Sequence, residues 1–202
     1  MASPEVLPWI AVRSGMPLSP TGISADNSDL GDLIALASKE HGRLLFWDVD
    51  GMERGKPQLP LYRQFEGKGL WIDAGVRNMD ALIDVLVAGG EVAVLNMKTL
   101  PRLEDLSEAG RMTEKLALCV EEGEEVLVWD RNLRGLRPFD LFKAALQAGI
   151  KRGVYLRHRG LQGIPEWAET LEDMEFFAGP RRPTHKGRDQ PKGAVVDLYE
   201  LI

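Results

Sequence analysis

Eight short apolar runs, separated by amphipathic or glycine-rich stretches, constrain this chain more than any other feature. They lie at residues 6–12, 44–49, 70–72, 92–95, 126–129, 154–156, 174–177 and 194–198. Four of the intervening stretches read as helices, over residues 29–39, 79–88, 103–121 and 139–148. In the first, Leu30, Leu33, Ile34 and Ala37 fall on one face. Asn78 and Asp140 are placed to cap the second and fourth, and Gly89, Gly123 and Gly149 to stop the last three. Strands alternating with helices are the pattern of a parallel sheet with helices packed on it. Eight such strands predict an α/β fold, a (β/α)8 barrel of TIM type, with an open doubly wound sheet as the competing arrangement.

The chain is short for such a ring. Barrels of this type commonly take about 250 residues, whereas this chain has 202, read here as one domain over 1–202. The shortage falls late. After the sixth run only residues 164–171 have helical character, with Pro165 confined to the start. After the seventh, AGPRRPTHKGRDQPKG has three prolines, three glycines and no apolar stripe. The barrel is therefore expected to be reduced, its helices missing or very short after strands six and seven. Sheet surface left bare there favours covering by chain termini or by another subunit, so a homo-oligomer is expected.

Composition narrows the function classes. Hydrophobic content of 44% and 28% charged residues are ordinary globular values. No apolar run approaches the roughly 18 residues needed to cross a bilayer, and the N-terminus has no basic segment of a signal peptide, so a cytoplasmic protein without membrane association is expected. One cysteine, Cys119, excludes an intrachain disulfide, and the scattered His41, His158 and His185 do not form a metal motif. Clustered aspartates suit magnesium, but nothing in their spacing selects it; neither a metal nor a cofactor is expected. A net charge of −6 argues against nucleic acid as partner. That sum hides an asymmetry: residues 1–129 carry 12 Lys and Arg against 21 Asp and Glu, whereas residues 130–193 carry 13 against 8.

In a barrel, function gathers where strands end at their C-termini. The residues just after the apolar runs are Arg13, Asp48 and Asp50 in WDVDG, Asp73, Gly75 and Arg77 in DAGVR, and Asn96 and Lys98 in LNMKT. Later come Asp130 and Arg131 in VWDRN, Arg157 and His158 in YLRHR, Arg181 and Arg182 in GPRRP, and Asp197 in VVDLY. Carboxylates crowded at one mouth raise one another's pKa and suit proton transfer. Asp130 is the first candidate for catalysis, followed by Asp48 and Asp50, which strand alternation would turn to the same side. Arg13, Asp73, Gly75, Arg77, Lys98, Arg131, His158, Arg181 and Arg182 are the candidate substrate contacts. For each aspartate the alternative is a structural one, pairing with a neighbouring arginine or capping the next helix. No GxxxxGK[ST] loop and no GxSxG elbow is present, which disfavours nucleotide binding and acyl transfer.

The segments LLFWDVDGMERGKPQ, GLWIDAGVRNMDALIDVLVAGGEVAVLNMKTL and EVLVWDRNLRG resemble the half-barrel repeats of the histidine-biosynthesis barrel family, which includes the phosphoribosylformimino aminoimidazole carboxamide ribotide isomerases. The likeness covers residues 44–135 well and the remainder loosely, and the chain especially resembles isomerase-related proteins that carry DAGVR. For those the resemblance implies a setting in one-carbon metabolism with methanopterin-type cofactors. It also implies an aspartate base ending the first strand and an aspartate acid ending the fifth. Asp130 matches the acid, but the base position in PWIAVRSG reads Ala11. Family phosphate cradles use glycine turns after strands three, four, seven and eight; here Gly75 remains, while NMKT, AGPRR and VDLY replace the others. Lys98, Arg181 and Arg182 would stand near those positions.

Two functions follow. One is an isomerase- or lyase-type enzyme moving protons on a small phosphorylated or carboxylated biosynthetic intermediate, distinct from the histidine-pathway reaction. The other is a non-catalytic anion-binding or assembly subunit descended from the isomerase.

Overall fold

Continuous apolar runs suit strands buried on both faces, and seven of the eight runs form parallel strands of one sheet. A computed structural model describes residues 6–22, 28–158, 164–180 and 193–201. In chain order the strands are β1 (Val6–Arg13), β2 (Met16–Leu18), β3 (Leu44–Asp48), β4 (Leu70–Asp73), β5 (Val92–Asn96), β6 (Leu116–Glu122), β7 (Val126–Leu127), β8 (Arg152–Arg157), β9 (Glu175–Gly179) and β10 (Ala194–Asp197). The helices are α1 (Leu30–His41), α2 (Val49–Arg54), α3 (Leu59–Gln64), α4 (Met79–Val87), α5 (Asp105–Met112) and α6 (Pro138–Gln147). β1, β3, β4, β5, β6, β8, β9 and β10 pair in parallel in that order, and β10 returns to β1 with Val6 opposite Ala194, closing an eight-stranded α/β barrel. β2 and β7 are antiparallel additions to β1 and β6.

The fifth barrel strand differs from expectation. The segment 103–121, expected as one helix, divides into α5 and then β6, while the expected strand 126–129 contributes only β7, which folds back on β6 with Val126 opposite Glu122. Asp140 is also displaced: it lies in the first turn of α6 and pairs with Arg137 at 3.0 Å rather than capping the helix. Asn78 caps α4 as expected, accepting from the Ala81 amide at 2.9 Å. Between β8 and β9 the described residues form a 3-10 helix, Glu166–Thr170. The loop expected after β9 lies largely outside the described residues.

Strand alternation sorts the barrel into two cores. Inside the ring, Leu7, Trp9, Leu45, Trp71, Val94, Cys119, Leu156, Phe177 and Val195 pack together. Outside it, Ile10, Phe46, Ile72, Leu95, Val120 and Tyr155 pack beneath the helices. The helical layer is tight at one place: a Cβ on Gly110 of α5 would lie 1.8 Å from the Ala148 carbonyl oxygen after α6. Helix propensity alone would make Gly110→Ala stabilising by about 1 kcal/mol. Overpacking against backbone is expected to win, for a net loss of roughly 2 kcal/mol in urea unfolding. A raised midpoint would contradict this packing.

Candidate active site at the barrel mouth

Continuing the inward alternation two residues beyond the apolar layer predicts which side chains reach the mouth. Leu45 leads to Trp47, Trp71 to Asp73, Val94 to Asn96, Cys119 to Glu121 and Leu156 to His158. Four of these five meet Lys98 in one polar cluster. The Asn96 side-chain amide donates to Asp73 Oδ2 at 2.7 Å and to Glu121 Oε1 at 2.8 Å. Lys98 Nζ lies 2.8 Å from Glu121 Oε1 and donates to Oε2 at 2.9 Å. His158 Nε2 is 3.3 Å from Glu121 Oε2, and the Lys98 ammonium sits 5.0 Å from the centre of the Trp47 ring.

Burial divides this cluster into a floor and a rim. Asp73, Asn96 and Glu121 are 3%, 0% and 1% exposed. Lys98 is about one-third exposed and His158 about half. Lys98 also lines an outer groove of about 530 Å³ with Val126, Leu127 and Arg134, so its ammonium stands where solvent meets the buried acids. Desolvation is the main influence on Asp73, raising its carboxyl from 3.8 to about 7. Glu121 adds to the rise, while the hydrogen bond from Asn96, the charge of Lys98 and the Gly75 amide oppose it.

Asp73, Cys119 and Glu121 also bring potential ligand atoms within 4.8 Å of one another. Their chemistry suits a metal poorly. Burial pushes the Cys119 thiol well up, keeping it from the thiolate form that binds metals. The Lys98 ammonium already supplies Glu121 with a cation.

The other expected site residues take different positions. Asp48, on the alternate side of β3 from Trp47, points outward. There it accepts from the Gly51 amide at 3.0 Å, the Gln58 amide at 2.7 Å, Gln58 Nε2 at 2.9 Å and the Tyr62 hydroxyl. Asp50 does not share a strand with it: the residue sits in α2, accepts from the Ser14 amide at 2.6 Å and pairs with Arg54 at 3.4 Å. Asp130 follows β7 rather than a barrel strand, and caps a 3-10 helix through the Asn132 amide at 2.9 Å; Arg131 beside it is exposed.

Arg13 pairs with Glu53 at 2.7 Å on the surface. Arg77 does not pair with Asp73; its guanidinium donates to the carbonyls of Gly51, Gly75 and Met52. Gly75, at φ +65°, has its missing Cβ only 2.8 Å from Met52 Cα, so close backbone packing requires the glycine. Asp197, inward like Val195 two residues before it, holds the segment after β2, accepting from the Thr21 amide at 3.1 Å and from the Ser19 and Thr21 hydroxyls. Arg181 and Arg182 lie outside the described residues.

Glu121 is the residue that the strand-end reading missed, although Leu116–Glu121 repeats the pattern of an apolar run closed by a carboxylate seen in Leu70–Asp73. No protein-family model matches the chain, and neither does any curated protein.

The raised Asp73 carboxyl makes a stability prediction. Between pH 3.8 and about 7 the folded protein holds a proton that the unfolded chain releases, so this contribution is complete at low pH and is lost as pH rises through 7. Stability from urea unfolding should fall over that window by as much as about 4 kcal/mol, and Asp73→Asn should remove the slope. Equal pH dependence in both proteins would contradict the assignment.

Proposed function

We propose that this protein is a reduced (β/α)8 barrel of TIM type, related to the histidine-biosynthesis barrel isomerases, that moves protons on a small phosphorylated or carboxylated biosynthetic intermediate. One observation carries this reading: Asp73 and Glu121 are held on the two hydrogens of a single Asn96 amide, beneath an ammonium, where burial pushes the Asp73 carboxyl up to about 7. Two carboxyl groups in unequal surroundings suit opposite roles. Glu121 accepts a proton from carbon next to a carbonyl, and protonated Asp73 delivers one to the oxygen. Lys98 binds the anionic part of the substrate at the rim. The histidine-pathway reaction itself is not proposed, because β1 presents the buried Ala11 where the family places its base.

The resemblance extends the proposal to a cytoplasmic role in one-carbon metabolism. Among the described residues no helix is long and apolar enough to cross a membrane. Association of like chains is also proposed, supported by Ile83 and Val87, exposed one turn apart on α4. Light scattering should then give a mass above one chain; a monomer would remove that part.

The second reading, a non-catalytic subunit, draws support from the internal saturation of the same cluster, in which Asp73, Asn96 and Glu121 all have partners within the protein. Deuterium exchange separates the two. Incubated in heavy water with a panel of phosphorylated and carboxylated carbonyl compounds, the protein should wash out a carbon-bound proton of at least one, seen by proton NMR. Asp73→Asn and Glu121→Gln should each slow this by about 100-fold or more, and the rate should fall as pH rises through 7. No exchange with any compound, or exchange indifferent to both substitutions, favours the non-catalytic subunit.

A further inference from the structure

The barrel interior contains two hydrogen-bond donors that the polar cluster leaves unused. Trp9 Nε1 and Trp47 Nε1 are both buried without a partner among the described residues. Trp9 is 5% exposed and belongs to the inner core; Trp47 packs against that core. The two rings lie 5.4 Å apart, tilted by 37°. Leaving a buried N–H unmet costs about as much as a hydrogen bond is worth, so two such groups on neighbouring rings call for an explanation.

Their neighbourhood supplies one. Trp47 stands opposite Ala11 on one side and Asp73 on the other in the strand register. The Lys98 ammonium covers its ring. The small Ala11 side chain adds neither a charge nor an acceptor. An oxygen bound here would meet neutral N–H donors between Asp73, opposite Trp47, and Asp197, opposite Trp9 in the register.

We infer that Trp9 and Trp47 receive the carbonyl oxygen of a small oxo acid through their indole N–H groups. The inference rests on the proton-transfer reading and narrows its substrate class. When Glu121 takes the carbon-bound proton, the C–H electron pair becomes the new C=C bond and the C=O π pair moves onto oxygen. Fixed donors at that oxygen stabilise the enolate before Asp73 protonates it. Phosphate is disfavoured at this depth, because a dianion would join two carboxyl groups around the single ammonium of Lys98.

Nitrogen–proton NMR of the labelled protein reads the two donors directly, with the indole signals assigned from Trp9→Phe and Trp47→Phe. Titration with pyruvate should move both signals downfield, and inorganic phosphate should not. Each substitution should weaken pyruvate binding about tenfold. Three results would overturn the inference: signals that no probe moves, phosphate moving them as far as pyruvate, or free-protein signals already in the hydrogen-bonded position through a retained water. Exchange abolished by Asp73→Asn alongside unmoved indole signals would sink this inference and leave proton transfer standing. Indole shifts with pyruvate but no exchange from any compound would do the reverse.

Discussion

One amide organises the polar cluster of this barrel. Asn96 has two side-chain hydrogens, and the closed ring brings an acceptor to each, Asp73 from β4 and Glu121 from β6. Without that bridge, two buried carboxyl groups facing one ammonium would repel each other with little solvent to screen them. With it they are fixed in unequal settings: Glu121 against Lys98 and His158, Asp73 accepting from the Gly75 amide. Closure is what makes this possible. β4, β5 and β6 are adjacent, and their inward positions converge only because the sheet curls back until β10 meets β1.

The opposite face of the same strands is structural. Asp48 binds α2, the Gln58 segment and Tyr62 together, and Arg77 holds three carbonyls of the neighbouring turns. Burial and the Asp48 charge push the Tyr62 hydroxyl well up, so it remains a donor to that carboxylate. At the other end of the barrel, Arg43 and Arg152 share Glu175 and lie near the Trp71 ring. This pattern puts the hydrogen-bonded polar cluster at the C-terminal mouth and ion pairs at the base.

Much of the ring was legible because seven strands announce themselves as apolar runs with a clear end. The eighth did not. In LEDLSEAGRMTEKLALCVEE no glycine or proline separates α5 from β6, and Leu116, Ala117 and Leu118 suit a helix as well as a strand. The Val-Leu-Val-Trp run that followed had the stronger strand composition, yet it forms only a short return on β6. That single misplacement moved the fifth carboxylate from Glu121 to Asp130. Asp48 failed for a different reason: composition shows that a strand ends in a carboxylate, whereas facing is set by which neighbours, Phe46 or Leu45, pack under the helices. Asp73 and Lys98 were legible as strand-end groups, but their meeting through Asn96 and Glu121 depends on strand order, which local sequence does not encode.

The account stands or falls on Asp73 holding a proton near neutrality while Glu121 pairs with Lys98. Carbon-13 NMR of protein labelled at the aspartate side-chain carboxyls measures it most directly. One resonance should titrate near pH 7 and disappear in Asp73→Asn. If every aspartate has released its proton by pH 5, the barrel mouth contains no acid poised for transfer and the proposed chemistry is wrong.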